Sequence, residues 1–359
     1  MPRRGCEDAG GSREERGGRC RVVATVDPAL IADEAGLVYG APTEVGIRRR
    51  RRGRGFTYQD PGGRTVDAAT RRWIEQLAIP PAWTDVWISA DPNMHILALG
   101  VDDAGRTQYR YHPEFRRVAD ELKFARLGLA SSRLPRVRRA ITEALAGDER
   151  TRMVALAAHL IDRSLIRVGT ERYVDENASF GACTLRRRHT RVEGDVVHFD
   201  FRAKGGLRRR FSLDDAVLAR HIAGLDSRPS APILATTGGW VPSGDDVAAF
   251  LTSAASVEMT AKDLRTLGAS AYMVEALCAH DLDESKDPLL AAYDLVAAVL
   301  GNTRAVARSS YVAPAVVVSW EDGSLATTWK RCRGAADCTR AERTLSHVLR
   351  AADAAEGSV

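Results

Sequence analysis

The dipeptide His112-Pro113 separates two stretches of different hydrophobic period, and that change limits what the chain can build. Upstream, from Phe56 to about His112, short runs such as Val86-Trp87-Ile88 and Ile96-Leu97-Ala98-Leu99 alternate with turn sequences. The turns are Asp60-Pro61-Gly62-Gly63 and Asp102-Asp103-Ala104-Gly105, and one helical segment interrupts at 68–77. Short apolar runs bounded by Gly, Pro and Asp predict strands. Downstream, 114–127, 135–146 and 151–166 carry a helical period, with Met153, Ala157, Leu160, Ile161 and Leu165 on one face of the last. A hairpin-rich insert follows, where Val197, Phe199 and Phe201 alternate with His198, Asp200 and Arg202. Helical patterning resumes at 213–223, 244–253, 260–265, 270–279 and 289–300, and Gly301 is placed to end the last of these. The expected class is α+β. A small β-rich N-terminal domain (34–113) is followed by a mainly α-helical domain (114–345) with a small β-hairpin sheet and a C-terminal tail (346–359).

Residues 1–33 are rich in Gly, Arg, Glu and Asp without periodic apolar content and are expected to form a disordered tail. The block Arg48-Arg49-Arg50-Arg51-Arg52 reads as a solvated segment or, beside a folded domain, as an arm for contacting phosphate. With no apolar run of about 18 residues, no membrane span is expected. No signal peptide is evident, so a cytoplasmic location is expected. The six cysteines lack Cys-x-x-Cys spacing and read as reduced structural thiols rather than zinc ligands. A net charge of +5 points to an anionic partner. Only five lysines stand among 52 basic residues, so Lys204 and Lys262 draw the eye where arginine was the easier residue to supply.

The segment Gly301-Asn302-Thr303 to Tyr311 suggests chemistry. A phenol ionises near pH 10 and attacks well only where cations stabilise both it and its target. Upstream lie Arg167 in Ile-Arg-Val-Gly, Lys204 in Ala-Lys-Gly-Gly, and Arg265 in Lys-Asp-Leu-Arg-Thr. Each has an ordinary structural explanation. Arg167 would complement a helix end, Lys204 is an exposed turn lysine, Lys262 and Arg265 form a surface pair, Asn302 is a helix cap, and Tyr311 is a half-buried aromatic. Together they describe a metal-free phosphoryl-transfer site. Thr260 with Asp263 predicts a helix start that would set Lys262 and Arg265 at its positive end. Neither a phosphate-binding Gly-x-x-x-x-Gly-Lys-[Ser/Thr] loop nor a compact two-metal carboxylate cluster is evident.

The ordered set Arg167, Lys204, Arg265, Asn302 and Tyr311 resembles the active site of type IB DNA topoisomerases, in particular their small poxvirus-like bacterial branch. Further text carries the likeness: Gly105-Arg106-Thr107-Gln108-Tyr109-Arg110-Tyr111-His112, Ile79-Pro80-Pro81-Ala82-Trp83, Lys123-Phe124-Ala125-Arg126-Leu127 and Lys262-Asp263-Leu264-Arg265-Thr266. It spans roughly residues 36–345 and implies a topoisomerase IB and tyrosine recombinase type of catalytic domain. By that resemblance Tyr311 forms a 3′-phosphotyrosyl link, Arg167 and Arg265 hold nonbridging oxygens, and Lys204 protonates the leaving 5′ oxygen. Lys262, Arg106, Gln108, Tyr109, Arg110 and Tyr111 would contact DNA. Many relatives carry His where Asn302 stands, and an amide donates a weaker hydrogen bond than a charged imidazole. The implied partner is duplex DNA, held by a monomer clamped around it with His112–Arg117 as hinge. No metal, nucleotide or other cofactor is expected. The alternatives are a tyrosine recombinase, against which Lys262 stands where recombinases carry His, and a degenerate DNA-binding protein.

Overall fold

A computed structural model describes residues 27–42, 45–225, 228–279 and 287–356. Residues 1–26 of the expected tail lie outside the described residues, while Pro28–Glu34 at its end is helix α1. Asp27 caps this helix on Ala29, and Pro28 sits in its first turn, where a missing N–H costs nothing. Ile31 and Ala32 bury against Phe115 and Val118.

Five antiparallel strands follow, β1 (Ile47–Arg52), β2 (Gly55–Gln59), β3 (Thr84–Ile88), β4 (Ile96–Val101) and β5 (Thr107–Tyr111), in the order β2-β1-β3-β4-β5. Helix α2 (Ala68–Gln76) lies over one face, where Ile47, Tyr58, Ile74, Val86, Ile88 and Ala98 make a core. The arginine block is a strand, with Arg48, Arg50, Arg51 and Arg52 exposed and Arg49 half-buried. It is β1, paired with β2 along its length and with β3 at Ile47 and Arg48. Ile47 enters the core and Arg49 shares its face, because strand side chains alternate. The Arg49 guanidinium stacks 4.2 Å from the Phe56 ring and donates to the carbonyls of Pro80 (3.1 Å) and Trp83 (2.5 Å). An arginine stem can cover apolar surface while its head is satisfied elsewhere, which is why this run tolerates a sheet. Gly53, at φ 56°, makes the tight turn into β2.

The second part is mainly helical. It comprises α3 (Pro113–Ala144), α4 (Glu149–Ser164), α5 (Glu171–Asn177), a three-stranded sheet of β6 (Thr190–Glu193), β7 (Val196–Arg202) and β8 (Arg208–Asp214), then α6 (Ala216–Ala223), α7 (Gly244–Ala255), α8 (Ala261–Ala279), α9 (Pro288–Leu300), α10 (Arg304–Ser310), α11 (Pro314–Glu321), α12 (Ser324–Arg331) and α13 (Arg340–Glu356). Four expectations are corrected here. The separate stretches 114–127 and 135–146 are one 32-residue helix, carried through Pro135 because Leu127, Leu134, Val137 and Ile141 all bury in the core. The expected hinge, His112–Arg117, is the capped first turn of that helix, with His112 Nδ1 accepting from Glu114 N at 3.1 Å. The expected tail from 346 is the body of α13, which buries Ala341, Leu345, Val348 and Leu349 on one stripe. Similarly, 260–265 and 270–279 are the single helix α8. Among the described residues, no single helix is long and apolar enough to cross a membrane. Cys183, Cys278, Cys332 and Cys338 are free, and burial pushes the Cys183 thiol up to about 12, well away from reactivity. Cys6 and Cys20 lie outside the described residues.

A buried ion cluster locks the helices together. Arg138 of α3 forks onto Asp162 of α4 (2.8 and 3.0 Å) and Glu342 of α13 (2.8 and 2.6 Å), and it also reaches the Asp337 carbonyl. Burial alone would raise the Glu342 carboxyl, but the Arg138 bonds and charge hold it below its ordinary range. Replacing Arg138 with Ala strands two buried carboxylates. The expected cost is about 3–5 kcal/mol, read as a lower denaturation midpoint with an unchanged slope. A loss under ~1 kcal/mol would contradict this account.

Candidate active site

Tyr311 ends α10, and its position follows from the chain before it. Gly301 closes α9 in the left-handed conformation (φ 61°), Asn302 N bonds back to Ala297, and Thr303 caps the short α10 on Val306. The side chain of Tyr311 is 7% exposed, so it is not a half-wet surface aromatic. Its backbone is pinned from α8, where Ser270 Oγ donates to the Tyr311 carbonyl (3.1 Å) and accepts from Ala313 N (3.0 Å).

Arg265, one helical face of α8 away, is 4% exposed. Its Nη1 donates to the Tyr311 hydroxyl oxygen at 2.6 Å and its carbon Cζ lies 4.7 Å from the tyrosine ring centre. Its Nε donates to the Leu165 carbonyl at 2.7 Å. That carbonyl is in place because Leu165 ends α4 in the left-handed region (φ 54°), a costly choice for leucine. Leu165 in turn packs onto Gly268, where an added Cβ would come within 2.4 Å of its side chain. Burial lowers the Arg265 pKa to about 10, with Tyr311 opposing and Arg167 and Arg209 reinforcing, so the group stays cationic at neutral pH.

Arg167 lies just past α4 in an extended segment held by Ala182 N to the Arg167 carbonyl (2.8 Å) and Cys183 N to the Val168 carbonyl (2.7 Å). Gly169 (φ 79°) and Gly181 are pressed so close that a Cβ on either would clash. The guanidinium donates to Asn302 Oδ1 at 2.9 Å. Because arginine only donates, the amide must turn its oxygen toward Arg167 and keep its NH₂ free. Asn302 Nδ2 and Arg265 Nη2 are both buried donors without an acceptor. Buried N–H groups are seldom left so, and anionic oxygens would satisfy them.

Lys204 occupies the exposed turn between β7 and β8, with Gly205 and Gly206 both at positive φ. It lines a cavity of about 730 Å³ together with Arg106, Arg167, Lys262, Arg265 and Tyr311. The structure thus brings together Tyr311, Arg167, Lys204 and Arg265, with Lys262 and Arg106 lining the same cavity and Asn302 bonded to Arg167. Thr260 and Asp263 form the reciprocal start of α8 (Asp263 Oδ2 accepting from Thr260 N at 2.8 Å). The remaining sequence candidates lie elsewhere, on β5. Gln108 donates to Asp102 (2.9 Å), Arg110 to the Ala78 carbonyl (2.8 Å), and Tyr109 and Tyr111 stack on each other.

Two supporting basic residues had been given no role from sequence, although Lys123 stands in a segment that carries the family likeness. Arg209 of β8 donates to the carbonyls of Ala298 (2.7 Å) and Val299 (2.6 Å) at the end of α9, tying the Lys204 hairpin to the Asn302 turn. Lys123 of α3 donates to the Ser310 carbonyl at 2.9 Å, directly before Tyr311. The scarcity that made Lys204 and Lys262 conspicuous applies equally to Lys123. Arg209 carries no such signal, since it sits in a run of three arginines.

Comparison with known proteins follows the same lines. Residues 112–321 match the family model for the catalytic core of eukaryotic DNA topoisomerase I, and residues 55–102 match that for the N-terminal domain of bacterial DNA topoisomerase IB. A DNA topoisomerase 1B of Acanthamoeba polyphaga mimivirus is 28% identical over 291 residues, covering 74% of this chain and 85% of that protein. A DNA topoisomerase 1 of Mycosarcoma maydis is 28% identical over 108 residues, or 28% of this chain and 11% of that protein.

Proposed function

This chain belongs to the eukaryotic-type DNA topoisomerase I family, and from that premise we propose that it relaxes supercoiled duplex DNA through a transient break in one strand. Tyr311 Oη attacks a backbone phosphorus. The P–O5′ bond breaks as the O–P bond to tyrosine forms, the phenol proton passes to solvent, and the 5′ oxygen takes a proton from Lys204. Arg167 and Arg265 neutralise the charge growing on the nonbridging oxygens, with Asn302 Nδ2 adding a neutral donor. The severed strand turns about its intact partner before the 5′ hydroxyl reverses the step. One phosphoester replaces another, so religation needs no nucleotide hydrolysis.

The observation that carries this reading is the 2.6 Å bond from a buried, cationic Arg265 to the Tyr311 hydroxyl. It opens on a cavity that Arg167 and Lys204 also line. A lone structural tyrosine has no need of a buried guanidinium whose remaining Nη2 is left without a partner. The test is relaxation of supercoiled plasmid in EDTA without ATP, with trapping of a 3′-linked protein–DNA adduct by denaturant. No relaxation would refute the proposal, and so would an adduct at the 5′ end.

The role of Lys204 has a separate check. On ordinary duplex, Lys204→Ala is expected to slow single-turnover cleavage by about 10²–10⁴-fold, the usual worth of a general acid. A substrate whose leaving 5′ oxygen is replaced by sulfur expels a thiolate that needs no proton, so the variant should then cleave near the wild-type rate. An equal deficit on both substrates would remove Lys204 from that role.

A further inference from the structure

Helix α3 joins the N-terminal sheet to the candidate active site as one continuous element. Its first turns are gripped by the N-terminal part: Phe115 stacks on Tyr111 of β5 (5.3 Å, 14°) and contacts the His95 ring (5.2 Å), and Phe115 and Val118 pack on Ile31 and Ala32. Ten residues beyond Pro113, about 15 Å along the helix, Lys123 donates to the Ser310 carbonyl at 2.9 Å. One turn further and on the same face, Arg126 donates to Asp263 Oδ1 at 2.7 Å and pairs with Glu258 at 3.2 Å. Ser310 precedes the nucleophile. Asp263 is 3% exposed, closes the start of α8 and stands two residues before Arg265.

The two contacts thus fall on the two segments that must meet, and both come from a helix whose other end is fixed to a different domain. We propose that Lys123 and Arg126 are positioning residues, through which α3 couples the seating of the N-terminal domain on DNA to the alignment of Tyr311 with Arg265. The inference rests on the cleavage reading above. Because its first turns are packed on the N-terminal part, the helix can transmit a displacement of that part toward the site. Misplacing reacting groups by about 1 Å can cost ~10²-fold in rate.

Lys123 also supplies a signature that mere packing would not. Burial lowers its pKa to about 8, against the opposing charges of Asp120 (3.8 Å away) and Asp263 and with reinforcement from Lys262. Below pH 8 the bond to Ser310 is charge-assisted and stronger, and as pH rises through 8 the charge is lost.

The experiment measures single-turnover cleavage by full-length protein, with noncovalent DNA affinity taken in a Tyr311→Phe background. Lys123→Met is expected to slow cleavage about 10–100-fold while affinity changes less than about 3-fold, and Lys123→Arg should recover most of the rate. The wild-type advantage over Lys123→Met should shrink as pH passes from 7 to 9. Phe115→Leu combined with Lys123→Met should cost less than the product of the single effects, because both cut one path. A pH-independent advantage, strictly multiplicative effects, or a loss confined to affinity would each overturn the coupling. Failure of the wild type to form any adduct would instead sink the cleavage reading itself.

Discussion

Tyr311→Phe is expected to abolish relaxation and adduct formation while leaving the protein folded and bound to DNA. The substitution removes one oxygen from a side chain that is 7% exposed and otherwise held by its ring and backbone, through the Arg265 stack and the Ser270 bonds. Those contacts survive. What is lost is the acceptor for Arg265 Nη1, a bond of 2.6 Å. A buried donor left unpaired costs about 1–3 kcal/mol, so a modest fall in melting temperature should accompany the change. Chemistry should suffer far more, because Tyr311 is the hydroxyl that Arg265 holds at the cavity. Loss of a nucleophile in a covalent mechanism typically removes at least about 10⁴-fold in rate. Gel retardation and relaxation assays on one preparation separate the outcomes. Residual adduct above about 1% of wild type would place the covalent link on another residue.

Arg265→Ala carries the second-largest expected effect, and it acts on stability and chemistry together. The guanidinium is shared between the Leu165 carbonyl and the Tyr311 hydroxyl, and it brings the positive charge nearest the phenol. Arginine donors on a phosphoryl transition state are worth about 10³–10⁵-fold, and cleavage is expected to fall within that range. Arg265→Lys should recover little, because a single ammonium cannot span the fork of two bonds at fixed geometry. Both variants leave a buried carbonyl without its donor, at about 1–3 kcal/mol. Single-turnover cleavage at saturating DNA reads the chemical part, and denaturation in the absence of DNA reads the structural part. A cleavage loss below about 10-fold for Arg265→Ala would show that its charge does not serve the transition state.

Recognition of this site from sequence depended on local context rather than on arrangement. The α8 start could be read directly from Thr260 and Asp263, since a capping box is a four-residue motif whose geometry is fixed by the helix itself. Gly301 as the end of α9 was legible for the same reason. Other elements were misread where packing overrode local signals. Five successive arginines look unstructured, yet they form β1, paired with β2 along its length; Arg48, Arg50, Arg51 and Arg52 stay exposed, while Arg49 finds three carbonyls and an aromatic ring contributed by residues up to 34 positions away. Residues 128–134 looked like a break before a second helix opening at Pro135, but the core accepts Leu134 and Val137 on either side of that proline. The apolar stripe of α13 was hidden by polar neighbours and is revealed by what it covers.

Residue chemistry alone determined which groups this protein has for moving a phosphoryl group: a phenol, three scattered cations and an amide, in an order that resembles one enzyme family. It also determined the two hydrophobic periods and so the β-then-α class. Tertiary structure decided how those groups meet. Arg265 faces Tyr311 because Leu165 accepts a left-handed turn and Gly268 leaves room for it. Asn302 presents a free amide donor because Arg167 takes its oxygen across 135 residues of chain. The continuous α3 sets Lys123 on Ser310. Such contacts link positions far apart in the chain, and hydrogen-bond geometry over that separation depends on how the whole core closes, which no local spacing encodes.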